Sequence, residues 1–431
     1  MEVRVWTNWA RTASCTPTRV VHPASTDEIA EAVLSGSRVR ARGSGHSFND
    51  IAVAPETALD LDRWTGIVHA DAETGLVTVR SGTPLWSLNA DLHRLGLAMP
   101  NLGDIDAQTV AGAISTSTHG TGAKLGVLAT AVESLELVLA DGSVVTCSRT
   151  ERPDLFNAAR VGLGALGIIS TLTLRCVPSF VLRASESPGR LDAVLEQFDD
   201  LCAVEDHVEF HWFTHSDRVI LKRNNRITEP ARPLSKLRQT WEYEVVENAA
   251  FGAVTKVARR FPRYTKRLNE VCGSLITERS YSDYSHNVFV TPRRVRFVET
   301  EFSIPRETLM DVIAELRAVA GKLGDRDHLI VPCEVRVAQA DDIWLSTANG
   351  RDTAYISMHQ ALGMQYKAFF DAYASIAASV GGRPHWGKMH DLTATELRPL
   401  YPHFDDFLRV RDEVDPGRTF TNQYLDRVLG T

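Results

Sequence analysis

Gly43-Ser44-Gly45-His46-Ser47 follows a short extended run, Arg38 to Arg42, and its reading decides the fold. Two glycines flanked by serines present several backbone N–H groups in a tight loop. Such a loop can wrap a pyrophosphate, because glycine lets the backbone approach closely and small hydroxyls add donors. It is not the Gly-x-Gly-x-x-Gly fingerprint. No third glycine stands at the required place, and no clear acidic residue follows a second strand, so a nicotinamide-binding doubly wound sheet is disfavoured. His46 is the unusual member. Either it hydrogen-bonds its own turn, or it holds a nucleophilic nitrogen against a bound cofactor, and the loop alone leaves both readings open.

A second loop narrows the choice. Residues 101–122 read Asn-Leu-Gly-Asp-Ile-Asp-Ala-Gln-Thr-Val-Ala-Gly-Ala-Ile-Ser-Thr-Ser-Thr-His-Gly-Thr-Gly. Small residues at this density suit a backbone wall lying against a flat cofactor. A small-residue helix packed on a sheet would have the same composition. Around both loops, strands and helices alternate. Ser25 and Glu28 form a capping box ahead of a helix from Thr26 to Leu34. Leu76 to Arg80 alternates as a half-buried strand does, and Thr83 and Pro84 open a helix as N-cap and first residue, with Gly96 ending it. Asp141-Gly142 turns a hairpin between Ser134–Ala140 and Ser143–Cys147, and Ile168 to Cys176 is a further strand. This part reads as an α+β domain with a mixed sheet.

Beyond Pro178 the texture changes. Arg190 to Leu201 and Met364 to Ala378 read as helices, and Leu329 to Ala338 and Ala354 to Gln360 as strands. Between them runs a basic, irregular stretch with Arg218, Lys222, Arg223, Arg226, Arg232, Lys236 and Arg238, read as solvated surface. At 431 residues the chain is too long for one ordinary core, so two or three domains are expected. The net charge of −7 gives no footprint for nucleic acid or an anionic membrane. The apolar stretch from Gly162 to Leu182 is interrupted by Ser170, Thr171, Thr173, Arg175 and Pro178, so no membrane span is expected. Residues 1–14 lack a signal-peptide pattern, and the six cysteines are scattered, which suits a reducing cytoplasm and gives no metal signature.

Taken together, Gly43–Ser47, Val110-Ala111-Gly112 running on to Thr118-His119-Gly120, Leu163-Gly164-Ala165-Leu166-Gly167, Glu334-Val335-Arg336, Pro384-His385-Trp386-Gly387-Lys388 and the stretch from Tyr401 to Tyr424 resemble the vanillyl-alcohol-oxidase-type (PCMH-type) flavoproteins, in their sugar-1,4-lactone oxidase and dehydrogenase branch close to alditol oxidase. The resemblance implies a two-domain α+β FAD-binding fold. Residues 1–178 and 389–431 would build the FAD domain, and 179–388 a substrate cap containing an antiparallel sheet. It implies FAD attached by a single covalent bond through His46, since residues 101–122 hold no cysteine for a second bond. By the same resemblance, Ala41, Arg42, Gly43, Ser44, Gly45 and Ser47 would bind FAD from the first loop. Gly103, Asp104, Thr109, Gly112, Ala113, Ile114, Ser115, Thr118, His119 and Gly120 would do so from the second, with Ile169 and His385 completing the site.

Glu334 and Arg336 stand two apart on an expected strand, so they share a face. A structural ion pair is the plain reading of such a pair; the resemblance makes both substrate-binding and catalytic, with Arg336 also stabilising charge on the reduced flavin. The resemblance makes Lys388 the group that removes or orients the reacting hydroxyl's proton, with Arg336 as its neighbouring cation. Alditol oxidases carry serine where Asp104 stands and threonine where His359 stands. Asp104 and His359 therefore favour a ring substrate such as L-gulono-1,4-lactone, oxidised at an alcohol carbon, over xylitol or sorbitol. The alternatives are an alditol oxidase and a secondary-metabolism alcohol oxidase on the same scaffold. Expected partners are a small polyhydroxylated substrate and oxygen or another electron acceptor; no metal is expected.

Overall fold

Val39–Arg42, the strand that delivers the chain to the glycine loop, pairs in parallel with Thr57–Asp60, which pairs in parallel with Arg19–Val21 on its other side. The computed structural model describes residues 5–241, 248–291 and 293–431. Beside this three-stranded sheet lies a separate five-stranded antiparallel one, in the order Val144–Ser148, Val132–Val138, Ile168–Arg175, Leu76–Arg80, Ile67–Asp71. The expected mixed sheet is therefore two sheets. Helix Thr26–Leu34 buries Ile29, Ala32 and Val33 against Leu59, Val138 and Ile168, sealing one sheet onto the other. Each such fully buried aliphatic side chain contributes about 1.5–3 kcal/mol. Ser25 Oγ accepts from the Glu28 N–H at 3.1 Å, but the Glu28 carboxylate takes the Ala24 N–H rather than that of Ser25.

The second helix starts one residue later than its sequence signal. Pro84 is extended (ψ 144°) and caps Leu85–Arg94, its missing N–H costing nothing where no intrahelical bond forms. Gly96, at φ +74°, ends it. The hairpin at Asp141-Gly142 forms as expected, with Gly142 at φ +78°.

An eight-stranded antiparallel sheet dominates the rest: Arg279–Tyr284, Val181–Arg190, Arg218–Ile227, His207–Trp212, Cys333–Ala338, Thr353–Ala361, Phe297–Pro305, Arg383–Pro384. Here the basic stretch departs from its sequence reading. Arg218–Ile227 is a ten-residue strand bonded on both sides, and Lys222 within it is half-buried, its Nζ 3.3 Å from Glu209 Oε1, rather than solvated. Its outward polar residues mask the alternation. The strand expected from Leu329 begins only at Cys333, since Pro332 has no N–H to give to a ladder.

Helices Leu191–Val204, Leu309–Lys322 and Lys367–Ser379 cover one face of this sheet, around a core that includes Phe198, Phe210, Trp212, Phe302, Leu316 and Phe369. The final helices, Phe404–Val414 and Gln423–Leu429, return to the first core with Trp386 and residues Ile343–Leu345. Asn422 Nδ2 donates to the carbonyls of Ile51 and Val53 at 3.0 and 2.9 Å, tying the last turn of chain to the segment after the glycine loop. The six cysteines are all free thiols. Among the described residues, no helix is long and apolar enough to cross a membrane.

Candidate functional site

The period of two in four neighbouring strands sorts chemistry from core. Val208, Phe210 and Trp212; Cys333, Val335 and Val337; Ala354, Ile356 and Met358; and Val298, Phe302 and Ile304 all face the helices. The alternate residues, Glu209 and His211, Glu334 and Arg336, Ser357 and His359, and Glu299 and Glu301, therefore share the opposite face. Register sets their order: His211 stands across from Glu334, Glu334 from Ser357, Ser357 from Glu301, and Glu299 from His359. That face is the floor of a cavity of about 480 Å³.

Arg336 is the hub of its inner half. Its Nε donates to Glu209 Oε2 at 2.7 Å, its Nη2 pairs with Asp104 Oδ1, and the same Nη2 lies 2.8 Å from Glu334 Oε1 without the alignment of a hydrogen bond. Burial alone would raise the Asp104 and Glu209 carboxyls, but the Arg336 guanidinium holds both below the usual carboxylate range. Glu334 moves the other way: burial raises it more than Arg336 lowers it. Asp104 also takes Arg293 at 2.8 Å, so three segments distant in sequence meet at one carboxylate.

The outer half belongs to Lys388. Its Nζ is 2.5 Å from Glu299 Oε2 and 4.0 Å from Glu301 Oε2, and 4.7 Å from the centre of the Phe48 ring. The ionic partners of Lys388 are thus carboxylates, where the sequence reading gave it Arg336 as neighbour. Backbone bonds put it there: the His385 N–H donates to Glu301 O at 3.0 Å, and the Met389 N–H to Glu299 O at 2.9 Å. Asn49 Nδ2 donates to the carbonyls of Trp386 and Lys388 at 2.8 and 2.7 Å, which docks this segment on the glycine loop. Burial would raise Glu299, but Lys388 and His359 bring it down to about 2. His359 Nε2 lies 3.3 Å from Glu299 Oε1, and this carboxylate outweighs burial to raise the imidazole. Glu301 faces His119 Nε2 at 2.9 Å and lies well below its ordinary value, against the pull of burial. Burial pushes His385 down to about 3, so its Nδ1 is a free acceptor and takes the Gly387 N–H at 3.0 Å.

His46 sits at the cavity's edge, its ring stacked on Trp9 with 5.8 Å between centroids. Burial, then the charge of Lys388, lowers its pKa to about 4, so the imidazole is neutral with a lone pair available at neutral pH. Among the described residues no group hydrogen-bonds to its ring. The reading in which His46 bonds its own turn is not what the structure shows.

A second void, of about 120 Å³, continues from the first and shares His46, Ser47, Gln108 and Thr116 with it. Ala41, Arg42, Gly43, Ser44, Gly45, Thr109, Gly112, Ser115 and Ile169 line it. A Cβ on Gly43 would lie 2.5 Å from Thr109 Oγ1, so only glycine lets the two loops close on each other. Arg42 binds Asp60 through Nε and Nη2 at 2.7 Å each, which leaves its buried Nη1 as an unpartnered donor. A narrow glycine-lined channel with an orphan cation donor, opening past a neutral histidine into a wider chamber, fits the shape and charge of FAD. Gly103, Asp104, Thr118, His119, Glu334, Arg336, His359, His385 and Lys388 line the chamber.

Three residues of the second loop are not at either void. Ala113 and Ile114 point into the first core from the short helix Val110–Ser115, because the other side of that helix carries Gly112 and Ser115. Gly120 packs behind the wall, where a Cβ would meet Leu102 O at 2.3 Å. Sequence reading missed Glu209, Lys222, Glu299 and Glu301. Glu299 and Glu301 left a signal: two carboxylates at i and i+2 inside the apolar run Phe297–Pro305 must share a face.

Residues 17–148 match the model of an FAD binding domain, and residues 172–428, more than half of the chain, match that of D-arabinono-1,4-lactone oxidase. The chain belongs to the D-arabinono-1,4-lactone oxidase family. It is 40% identical over 431 residues to L-gulono-1,4-lactone dehydrogenase of Mycobacterium tuberculosis, covering 99% of both chains. It is 34% identical over 435 residues to L-gulonolactone oxidase of Mus musculus, covering 98% of this chain and 97% of that one. Cholesterol oxidase from B. sterolicum shares the fold, with a TM-score of 0.82 at 16% identity over 99% of this chain and 96% of that one. Like the rest of the D-arabinono-1,4-lactone oxidase family, this protein is an FAD-linked oxidoreductase acting on CH–OH groups.

Proposed function

We propose that the protein oxidises an alcohol carbon of an aldono-1,4-lactone of the L-gulono-1,4-lactone type, with its FAD bonded covalently to His46. The observation that carries this reading is the charged floor of the chamber, where Lys388–Glu299 and Arg336–Glu334 flank the space next to the neutral His46. Bound FAD would supply the hydride acceptor, with oxygen or another acceptor as the final oxidant. Everything else falls to the chain's own groups. The loop Gly43–Ser47 and the wall from Thr109 to Thr116, which line the narrow void, would hold the cofactor's diphosphate arm. Glu334 Oε1, unaligned with Arg336, accepts from a substrate hydroxyl, while Arg336, fixed by Asp104 and Glu209, directs its charge toward the oxygen atoms of the ring. Lys388, gripped by Glu299, holds the reacting hydroxyl and takes part in removing its proton.

Asp104 and His359 both project into the chamber, and both are engaged in ion pairs. That tight, charged lining supports a compact ring with few hydroxyls over a flexible polyol. A second reading, a larger alcohol, draws on the apolar side of the same chamber, formed by Phe213, Ile220, Phe251, Val254 and Ile276. Turnover of L-gulono-1,4-lactone, L-galactono-1,4-lactone, xylitol and sorbitol, each with oxygen and with an artificial dye, tests the assignment. The lactones should be turned over with the higher kcat/KM; faster polyol oxidation would make the protein an alditol oxidase. Failure of all four would point to the larger alcohol.

A further inference from the structure

A net charge of −7 averages away a local feature. Residues 251–275 carry six cations, Lys256, Arg259, Arg260, Arg263, Lys266 and Arg267, against the single carboxylate of Glu270. They lie on two short helices, Phe251–Arg260 and Thr265–Ser274, joined by the turn Pro262–Tyr264. Several surface arginines elsewhere are matched, among them Arg317 with Asp192 and Asp217, and Arg409 with Asp154 and Glu413. None of these six forms an ion pair among the described residues.

Large apolar side chains stand exposed among them. Val257, Phe261, Tyr264, Val271 and Leu275 all face solvent, Val271 at 53% and Leu275 at 72% exposure. Single exposed apolar residues are ordinary, but Val257 and Phe261, like Val271 and Leu275, stand four residues apart, so each pair shares a face. Arg260 lies over the Phe261 ring at 5.0 Å and Arg263 over Tyr264 at 4.9 Å, so cation and ring form one amphipathic layer. The inner sides of the helices are committed to the fold. Thr255, Ala258, Thr265 and Asn269 are buried, and Asn269 Nδ2 donates to Leu329 O at 2.8 Å.

We propose that this helix pair is a docking surface for an anionic phospholipid membrane, on which the protein lies without crossing it. Charge complementarity sets the lipid class, because unpaired Lys and Arg side chains are drawn to anionic headgroups. The apolar members favour a lipid over an acidic protein. The headgroup boundary accepts cationic and apolar groups at once, which is the combination this face presents. The placement also concerns the site. Phe251, Val254, Cys272 and Leu275 of the same segment line the chamber, so the docked face adjoins the chamber's mouth.

The test is sedimentation of the full-length, FAD-loaded protein with vesicles of phosphatidylcholine alone or mixed equally with phosphatidylglycerol. The protein is expected to pellet with the anionic vesicles, to stay in solution with the neutral ones, and to be released by about 0.5 M NaCl, where the Debye length falls to roughly 4 Å. A variant with Lys256→Glu, Arg260→Glu, Arg263→Glu and Arg267→Glu should bind anionic vesicles roughly tenfold less or worse, while its flavin absorbance and turnover match the parent. If that variant does not fold, the milder Lys256→Gln/Arg267→Gln pair should still weaken binding, and Phe261→Ser should weaken it without changing charge. Equal binding to neutral and anionic vesicles, or undiminished binding by the charge variants, overturns the proposal. So does capture on polyglutamate with no binding to vesicles, which would reassign the surface to an acidic protein.

Discussion

Lys388 Nζ lies 2.5 Å from Glu299 Oε2, and the other oxygen of the same carboxylate lies 3.3 Å from His359 Nε2. One buried carboxylate therefore fixes two of the side chains proposed to meet the substrate. Lys388→Met should lower kcat on L-gulono-1,4-lactone by roughly 10²–10⁴-fold, the range for loss of a positioned proton-transfer group, with a smaller change in KM. Steady-state kinetics on the purified variant check this. Full turnover would remove Lys388 from the mechanism.

His46 leads to a prediction that does not depend on the substrate. Its imidazole is neutral, its pKa lowered to about 4, and it stands where the narrow void opens into the chamber. After acid precipitation the flavin's yellow colour should stay with the parent polypeptide. In His46→Ala it should pass to the supernatant, while the folded variant still binds FAD through the glycine loop. Colour in the supernatant for the parent would refute the covalent bond and leave a flavoprotein with dissociable FAD.

How much of this was legible in the sequence follows from the range of each interaction. The glycine loop was readable because part of its cause is local: Gly45 takes φ +71°, whereas the closeness of Thr109 to Gly43 is set by the fold. The face shared by Glu334 and Arg336 was readable because the strand period is fixed at two. Lys388 was found by resemblance, but its partners were not, since Glu299 reaches it only through the pairing of Phe297–Pro305 with Thr353–Ala361 and Arg383–Pro384. Lys222 was misread for the same reason. Its placement depends on Glu209 in a neighbouring strand, and its own segment looks like solvated surface.

Asp104 and His359 test specificity. Both face the chamber already engaged, Asp104 with Arg336 and Arg293, His359 with Glu299. Replacing them together, Asp104→Ser with His359→Thr, should move the ratio of kcat/KM for xylitol over gulonolactone upward by at least about tenfold, equivalent to about 1.4 kcal/mol. Losing Asp104 also frees Arg336 from one partner, so lactone turnover should fall in the single Asp104→Ser variant. An unchanged ratio in the double variant would show that neither residue sets substrate class.

The same carboxylate that grips Lys388 sets an acid limit on stability. Glu299 is brought from its ordinary 4.5 down to about 2 in the folded chain, chiefly by Lys388 and His359 acting against burial. A depressed carboxyl stabilises the fold above its unfolded value and loses that contribution as pH falls toward the folded one, so the window runs from about 4.5 down to about 2. The shift is worth on the order of 3 kcal/mol, and Asp104, Glu209 and Glu301, all held low by neighbouring cations or imidazoles, add to it in the same direction. His359 has the opposite sign: raised by Glu299, it stabilises below its ordinary 6.5 and loses that contribution as pH rises above it. Urea midpoints measured across this range should fall steeply below about pH 4.5. Glu299→Gln should be less stable at neutral pH, because it removes the nearest carboxylate of both Lys388 and His359, yet it should show a shallower fall in acid. A Glu299→Gln curve parallel to the parent's would mean that this carboxyl titrates alike in the folded and the unfolded chain.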